Sequence, residues 1–116
     1  MSQVTLYHNP RCSKSRETLQ LLKDKGIEPQ VREYLKDVPD AAELKAVLTA
    51  LGIDARALLR TKEAEYRELG LDDDSLTDDQ IIAGMIRCPK LIERPIVIRD
   101  GQARIGRPPE SVMEIL

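Results

Sequence analysis

The spacing of apolar residues changes along the chain and first indicates a strand, a helix and a second strand. The apolar run Val4-Thr5-Leu6-Tyr7 is typical of a buried strand, which we predict over residues 4–8. Leucines at helical spacing follow it and stop near Gly26, a residue suited to a helix C-cap. Polar and apolar residues then alternate over residues 30–35, which predicts the second strand. Strand, helix and strand in this order favour a βαβ unit with parallel strands.

The middle of the chain, residues 40–89, has a helical pattern throughout. Leucine and valine recur at helical spacing up to Gly52. Two short helical segments are predicted over residues 55–60 and 64–69. A last helix is predicted from Thr77, which begins a capping-box pattern, and it should end before the next proline. We therefore predict an all-helical insertion.

The end of the chain returns to β-structure. Two strands are predicted over residues 95–99 and 102–105, because Asp100-Gly101 is a strong signal for a two-residue hairpin. A helix is predicted to follow them. The order β-α-β, helical insertion at about residues 40–89, then β-β-α predicts an α/β thioredoxin-like fold with a mixed sheet. We expect one such domain over residues 1–116.

Composition excludes several classes of partner. The net charge is −2 and the chain lacks Phe and Trp, so we expect no nucleic-acid partner. No apolar run approaches the length of a bilayer span and no signal peptide is visible, so we expect no membrane association and a cytoplasmic location. Two cysteines and one histidine show no metal-ligand spacing, so we expect no metal site.

Cys12 lies where the first strand ends and the first helix begins, and basic residues surround it in sequence. These residues are His8, Arg11, Lys14 and Arg16. Positive side chains and a helix N-terminus stabilise the thiolate, which is the nucleophilic form of cysteine. We therefore predict that Cys12 is a reactive thiol rather than a small buried hydrophobic residue.

The spacing around Cys12 excludes two thiol chemistries. A phosphatase loop of the form C-x5-R needs arginine where the chain has Thr18, and a C-x-x-C dithiol needs cysteine where it has Ser15. The pattern is therefore C-x-x-S, a single attacking thiol that requires an outside thiol such as glutathione to complete a cycle. Cys88 stands beside Pro89, and we predict it to be structural or inert rather than a resolving thiol.

Three arginines are candidates for binding an anion. Arg60 ends a short helical segment, and Arg94 and Arg107 each precede a proline, which holds the preceding backbone extended. In a thioredoxin-like fold, the segments that carry Arg94 and Arg107 approach the start of the first helix. Planar guanidinium groups around Cys12 suit a tetrahedral oxyanion.

The chain resembles the short form of the glutaredoxin-coupled arsenate reductase (ArsC-type) family from residue 3 to residue 116. The stretches that carry the resemblance are Tyr-His-Asn-Pro-Arg-Cys-Ser-Lys-Ser-Arg at residues 7–16, Ala-Leu-Leu-Arg at 57–60, Glu-Arg-Pro-Ile-Val at 93–97 and Ile-Gly-Arg-Pro at 105–108. The resemblance implies a thioredoxin-like fold with a cis-proline at Pro95. It also implies an oxidoreductase of arsenic detoxification that binds no cofactor.

The resemblance further implies a role for each candidate residue. Cys12 would attack arsenate as the nucleophile, and His8 would assist it as a nearby cation that favours the thiolate. The oxyanion and its covalent adduct would be bound by Arg60, Arg94 and Arg107. Glutathione would condense with the adduct as co-substrate, glutaredoxin would reduce it, and arsenite would leave.

Two other functions fit the same fold. One is a thiol-disulfide oxidoreductase that acts on glutathione mixed disulfides, which the C-x-x-S pattern permits, although disulfide exchange does not need three anion-binding arginines. The other is an Spx-like regulator that binds RNA polymerase. Spx-like proteins commonly carry C-x-x-C at this turn, which this chain lacks.

Overall fold

A computed structural model of the protein describes residues 3–116, and its elements follow the predicted order. The strands and α-helices are β1 (Val4–Tyr7), α1 (Ser13–Asp24), β2 (Gln30–Arg32), α2 (Ala41–Leu51), α3 (Ala64–Glu68), α4 (Asp78–Arg87), β3 (Ile96–Arg99) and β4 (Gln102–Ile105). Short 3-10 helices are Arg56–Leu58, Pro89–Leu91 and Pro109–Ile115. The prediction of an α/β thioredoxin-like fold with a helical insertion is confirmed.

The chain forms two compact units. The first unit consists of two segments of the chain, the one up to Asp37 and Arg94–Leu116. The second unit is the segment between them, Val38–Glu93. The second unit coincides within a few residues with the predicted insertion at residues 40–89. That residues 1–116 make a single domain stays a prediction.

The first unit contains a four-stranded mixed sheet in the order β2-β1-β3-β4. Strand β1 pairs in parallel with β2 and antiparallel with β3, which pairs antiparallel with β4. Asp100 and Gly101 connect β3 to β4, and both have positive φ angles, 52° and 76°. A two-residue turn with this geometry matches the twist of a hairpin. The side chains that pack the core of this unit come from the sheet, α1 and the last 3-10 helix: Val4, Leu6, Leu22, Val97, Val112 and Ile115.

Three predicted elements differ from the observed ones by more than one residue or in type. The helical segment predicted over residues 55–60 is a 3-10 helix of three residues, Arg56–Leu58. Strand β2 stops at Arg32 rather than at residue 35, because the carbonyl of Glu33 accepts the amides of Lys36 and Asp37 and closes a turn. The final helix is 3-10 rather than α. Its first bond runs from the Ser111 amide to the Pro108 carbonyl, the i→i+3 bond that defines a 3-10 helix.

The second unit is helical, and its longest helices have defined ends. Helices α2 and α4 each begin with a capping box, as predicted for α4, and α2 ends at Gly52 in the left-handed conformation. The Arg56 guanidinium group donates to the carbonyls of Leu71 at 2.9 Å and Asp73 at 2.8 Å, so one side chain holds the connection between α3 and α4. Among residues 3–116, no helix has both the length and the apolar character that crossing a membrane requires.

Candidate active site at the Cys12 loop

Residues 8–12, called here the Cys12 loop, connect β1 to α1 and present the thiol at the start of the helix. The Cys12 amide donates to the Asn9 carbonyl at 3.0 Å, and the Asn9 side chain accepts the Arg11 amide at 3.0 Å. Cys12 is the N-cap residue of α1, and the first turn of that helix carries no acidic residue. The positive end of the helix dipole therefore acts on the partly exposed sulfur without a compensating carboxylate.

The cation that contacts the thiol comes from the far end of the chain. Arg107 Nη2 donates to Cys12 Sγ at 3.5 Å. Two of the basic residues that are near in sequence have other partners: Lys14 pairs with Glu17 at 3.6 Å, and Arg16 donates to the carbonyl of Pro10 at 2.9 Å. The structure thus brings Arg107 and Cys12 together, as the topology predicted.

Arg94 contributes to the position of Arg107. Arg107 Nε donates to the Arg94 carbonyl at 2.8 Å, so this nitrogen holds the guanidinium group in place while Nη2 contacts the sulfur. Pro95, which follows Arg94, has a cis peptide bond, as the resemblance implied. A second cis peptide bond, between Arg107 and Pro108, was not predicted.

Gly106 is the point at which the Arg107 segment packs closely on its neighbours. Its amide donates to the Pro95 carbonyl at 2.8 Å. A Cβ atom at this position would lie 2.5 Å from Thr18 Oγ1 and 2.8 Å from Pro95 Cγ, both closer than van der Waals contact. Only glycine allows this approach, so residue 106 sets how near Arg107 can come to α1.

Gly106→Ala is therefore expected to destabilise the fold by about 1–3 kcal/mol, the usual cost of overpacking. Denaturant unfolding measures the change. The double variant Gly106→Ala with Thr18→Ala removes the nearest contact atom and should recover part of the loss, as a non-additive pair does. If the single variant Gly106→Ala were as stable as the wild type, the close packing against Thr18 and Pro95 would not require glycine at this position.

His8 is buried at the end of β1, with 6% of its surface exposed. Its Nδ1 lies 2.6 Å from the hydroxyl oxygen of Ser15. The pKa of His8 is lowered from 6.5 chiefly by burial, while Glu33 opposes this shift and Arg16 adds to it. The imidazole is therefore neutral at neutral pH, and the structure does not support the expectation that His8 acts as a cation.

The lowered pKa of His8 can be measured directly, because the chain has one histidine. We expect an NMR titration of the folded protein to give a pKa below 6.5, and the protein unfolded in urea to give the ordinary value. Since the unfolded chain then binds the proton more readily, His8 should reduce stability as pH falls through 6.5. A folded-state pKa at or above 6.5 would contradict this.

Arg60 belongs to the second unit. Its amide donates to the Leu91 carbonyl at 2.8 Å, and its Nη2 lies 3.7 Å from the Glu63 carboxylate. Its Nη1 is buried and has no hydrogen-bond partner in the part of the chain that is described. Buried donors normally have partners, so the unused donor of this guanidinium group suits an anion.

The profile of the ArsC family matches residues 7–115. The chain belongs to the ArsC family. It is 57% identical over 115 residues to YfgD of Escherichia coli (strain K12), covering 98% of this chain and 97% of that protein. It is 44% identical over 117 residues to the arsenate reductase of Neisseria meningitidis serogroup A, covering 100% of both. The solved structure of an arsenate reductase from Vibrio cholerae has a TM-score of 0.96 and 56% identity, covering 98% of both chains.

The second cysteine of this ArsC-family chain lies at the C-terminal end of α4, in the second unit. Burial is the main cause that raises the pKa of Cys88, and the negative charge of Glu65 adds to it. A thiol that stays protonated is a weak nucleophile. This property agrees with the prediction that Cys88 is not a resolving thiol. Within residues 3–116, no group of three His, Cys, Asp or Glu side chains is placed to hold a metal ion.

A cleft of about 180 Å³ adjoins the Cys12 loop in the first unit. Its lining is His8, Asn9, Pro10, Arg11, Glu33, Leu35 and Lys36. The lining thus contains charges of both signs, and four of its seven residues directly precede Cys12 in the chain. No sequence pattern predicts this cleft, because it forms between the Cys12 loop and the turn after β2, which are far apart in the chain.

Proposed function

We propose that this ArsC-family chain is an arsenate reductase that depends on glutathione and glutaredoxin, with Cys12 as the nucleophile. The observation that carries the proposal is the 3.5 Å contact between Arg107 Nη2 and Cys12 Sγ at the N-terminus of α1. A guanidinium group and a helix N-terminus that meet at a thiol are suited to an incoming oxyanion. The relatives from Neisseria meningitidis and Vibrio cholerae, which are named arsenate reductases, support arsenate as that oxyanion.

In the first step, the Cys12 thiolate attacks the arsenic of arsenate and an S–As bond forms. One arsenate oxygen takes up protons and leaves as water, so the step is a condensation and arsenic remains As(V). Arg107 neutralises charge on the remaining oxygens, and its link to the Arg94 carbonyl keeps it oriented during the attack.

Reduction requires the two outside thiols. Glutathione condenses with the adduct and a second water leaves, so arsenic carries two sulfurs. The glutaredoxin thiolate then attacks the glutathione sulfur and breaks its bond to arsenic. The electron pair of that bond stays on arsenic, which becomes As(III), and glutathione leaves as a mixed disulfide with glutaredoxin. Water releases arsenite and restores the Cys12 thiol.

The cleft beside the Cys12 loop offers a place for glutathione. Glutathione is a zwitterionic tripeptide, with two carboxylates and one ammonium group. Arg11 and Lys36 match its carboxylates, and Glu33 matches its ammonium group. Complementary charges of this kind raise affinity and orient a flexible peptide.

The decisive experiment measures arsenite formation by the purified protein with arsenate, glutathione, glutaredoxin and a system that recycles oxidised glutathione. We expect turnover with all components and none when either thiol is omitted. In a second series, Lys36→Glu should raise the KM for glutathione and leave that for arsenate unchanged. No arsenite above the rate of the Cys12→Ser protein would reject the reductase proposal. Activity on glutathione mixed disulfides alone would favour the oxidoreductase alternative.

A further inference from the structure

Ser15 is buried in the first turn of α1, with none of its surface exposed, and its hydroxyl group faces back to the Cys12 loop. The hydroxyl oxygen lies 2.6 Å from His8 Nδ1 and accepts the Asn9 amide at 3.0 Å. One side chain on the helix is therefore bonded to two consecutive residues of the loop.

The chemistry of the hydroxyl group fixes the direction of these bonds. A serine hydroxyl has one hydrogen to donate and accepts through its oxygen. The Asn9 amide has only a hydrogen to give, so the oxygen accepts it. If His8 Nδ1 carried a proton, Nδ1 would also have to donate to the Ser15 oxygen. The buried hydrogen of the hydroxyl group would then have no acceptor among the described partners of Ser15. If Ser15 donates to an unprotonated Nδ1, the hydroxyl group, Nδ1 and the Asn9 amide all have hydrogen-bond partners.

We propose that Ser15 is a positioning residue for the Cys12 loop. Its hydroxyl group donates to Nδ1 of His8, which holds the imidazole neutral with its one proton on Nε2. The same oxygen anchors the amide of Asn9. The burial of His8, which lowers its pKa, acts in the same direction.

The anchor reaches the thiol through Asn9. The carbonyl of Asn9 accepts the Cys12 amide, and its side chain accepts the Arg11 amide. Ser15 therefore fixes the residue on which the conformation of the loop depends, and with it the direction of Cys12 Sγ toward Arg107. This anchoring concerns the loop itself, and only its effect on turnover rests on the proposed function.

NMR of the ¹⁵N-labelled wild-type protein at pH 8 tests where the proton lies, and the single histidine makes the assignment unambiguous. We expect a protonated Nε2 and an unprotonated Nδ1. The hydrogen bond from Ser15 should shift the Nδ1 signal away from the position of a free, unprotonated ring nitrogen. Ser15→Ala should move the Nδ1 signal to the position of a free ring nitrogen. Ser13→Ala, which removes an exposed hydroxyl from the same turn, should leave it unchanged. A proton on Nδ1 in the wild-type protein would overturn the proposal.

Alkylation of Cys12 tests the positioning without arsenate. In a Cys88→Ser background, the rates with anionic iodoacetate and neutral iodoacetamide are compared. Ser15→Ala should reduce the iodoacetate rate about tenfold and the iodoacetamide rate less, because the thiol loses its fixed orientation toward Arg107. An unchanged ratio of the two rates would overturn the positioning role. If Ser15→Ala lowers the ratio of the iodoacetate rate to the iodoacetamide rate, but the wild-type protein does not reduce arsenate, the proposed function is rejected and the positioning role stands.

Discussion

Replacing Cys12 with serine is expected to abolish arsenite formation, with a loss on the order of 10³-fold or more. A serine hydroxyl keeps nearly the same shape, but it does not ionise at neutral pH and cannot form the S–As bond. Arsenite formation with saturating glutathione and glutaredoxin measures the effect.

Cys88→Ser is the matched control for this substitution. The pKa of Cys88 is raised, chiefly by burial, so its thiol stays protonated and its loss should leave most of the activity. If Cys88→Ser were as inactive as Cys12→Ser, the cycle would need both thiols and the single-thiol mechanism would be wrong.

The second large effect is expected for Arg107→Ala. The variant loses a charge-assisted interaction with the oxyanion, and kcat/KM for arsenate should fall about 10²-fold. Arg107→Lys should recover only part of this loss, because lysine has one nitrogen where arginine uses Nε for the Arg94 carbonyl and Nη2 for the sulfur.

Arg99→Ala provides the control for Arg107. Arg99 ends β3, in the hairpin that precedes Arg107, and its Nε lies 3.9 Å from the Asp100 carboxylate, a long ion pair of little energetic weight. Its removal should leave kcat/KM unchanged. An equal loss in both variants would mean that the overall positive charge of the protein, and not the position of Arg107, attracts arsenate.

Much of the fold could be predicted from the sequence, because its strands and helices have strong local signals. Strand β1 is a mostly apolar segment, Asp100-Gly101 joins β3 to β4, and capping boxes begin α2 and α4. The end of β2 was placed too late, since alternation continues past Arg32 while the Glu33 carbonyl already closes a turn. Periodicity does not report a backbone hydrogen bond of this kind.

The site was less predictable, because its contacts are between residues far apart in sequence. The expected topology predicts that Arg107 lies near Cys12, and the two residues are in contact. The sequence also suggests that Lys14 and Arg16 act on the thiol, but their side chains have other partners. The charge of His8 depends on burial, which a sequence does not show.

In the sequence, Ser15 stands out only as the residue where a C-x-x-C dithiol would have its second cysteine. Its role depends on a hydroxyl group that faces backwards along the helix to His8 and Asn9. A polar residue on the first turn of a helix, three residues after a reactive cysteine, is the sequence signal that points to such a role.

A cysteine at the N-cap position of α1 is favourable for a reactive thiol but unfavourable for the stability of the helix. A cap residue normally accepts an amide of the first turn through its side chain, and Cys12 makes no such bond. Serine is among the best N-cap residues, so the inactive Cys12→Ser protein should be more stable than the wild type by about 1 kcal/mol. Random substitution followed by selection for heat resistance alone would therefore remove this thiol. The cysteine is retained at a position where the helix itself favours a different residue.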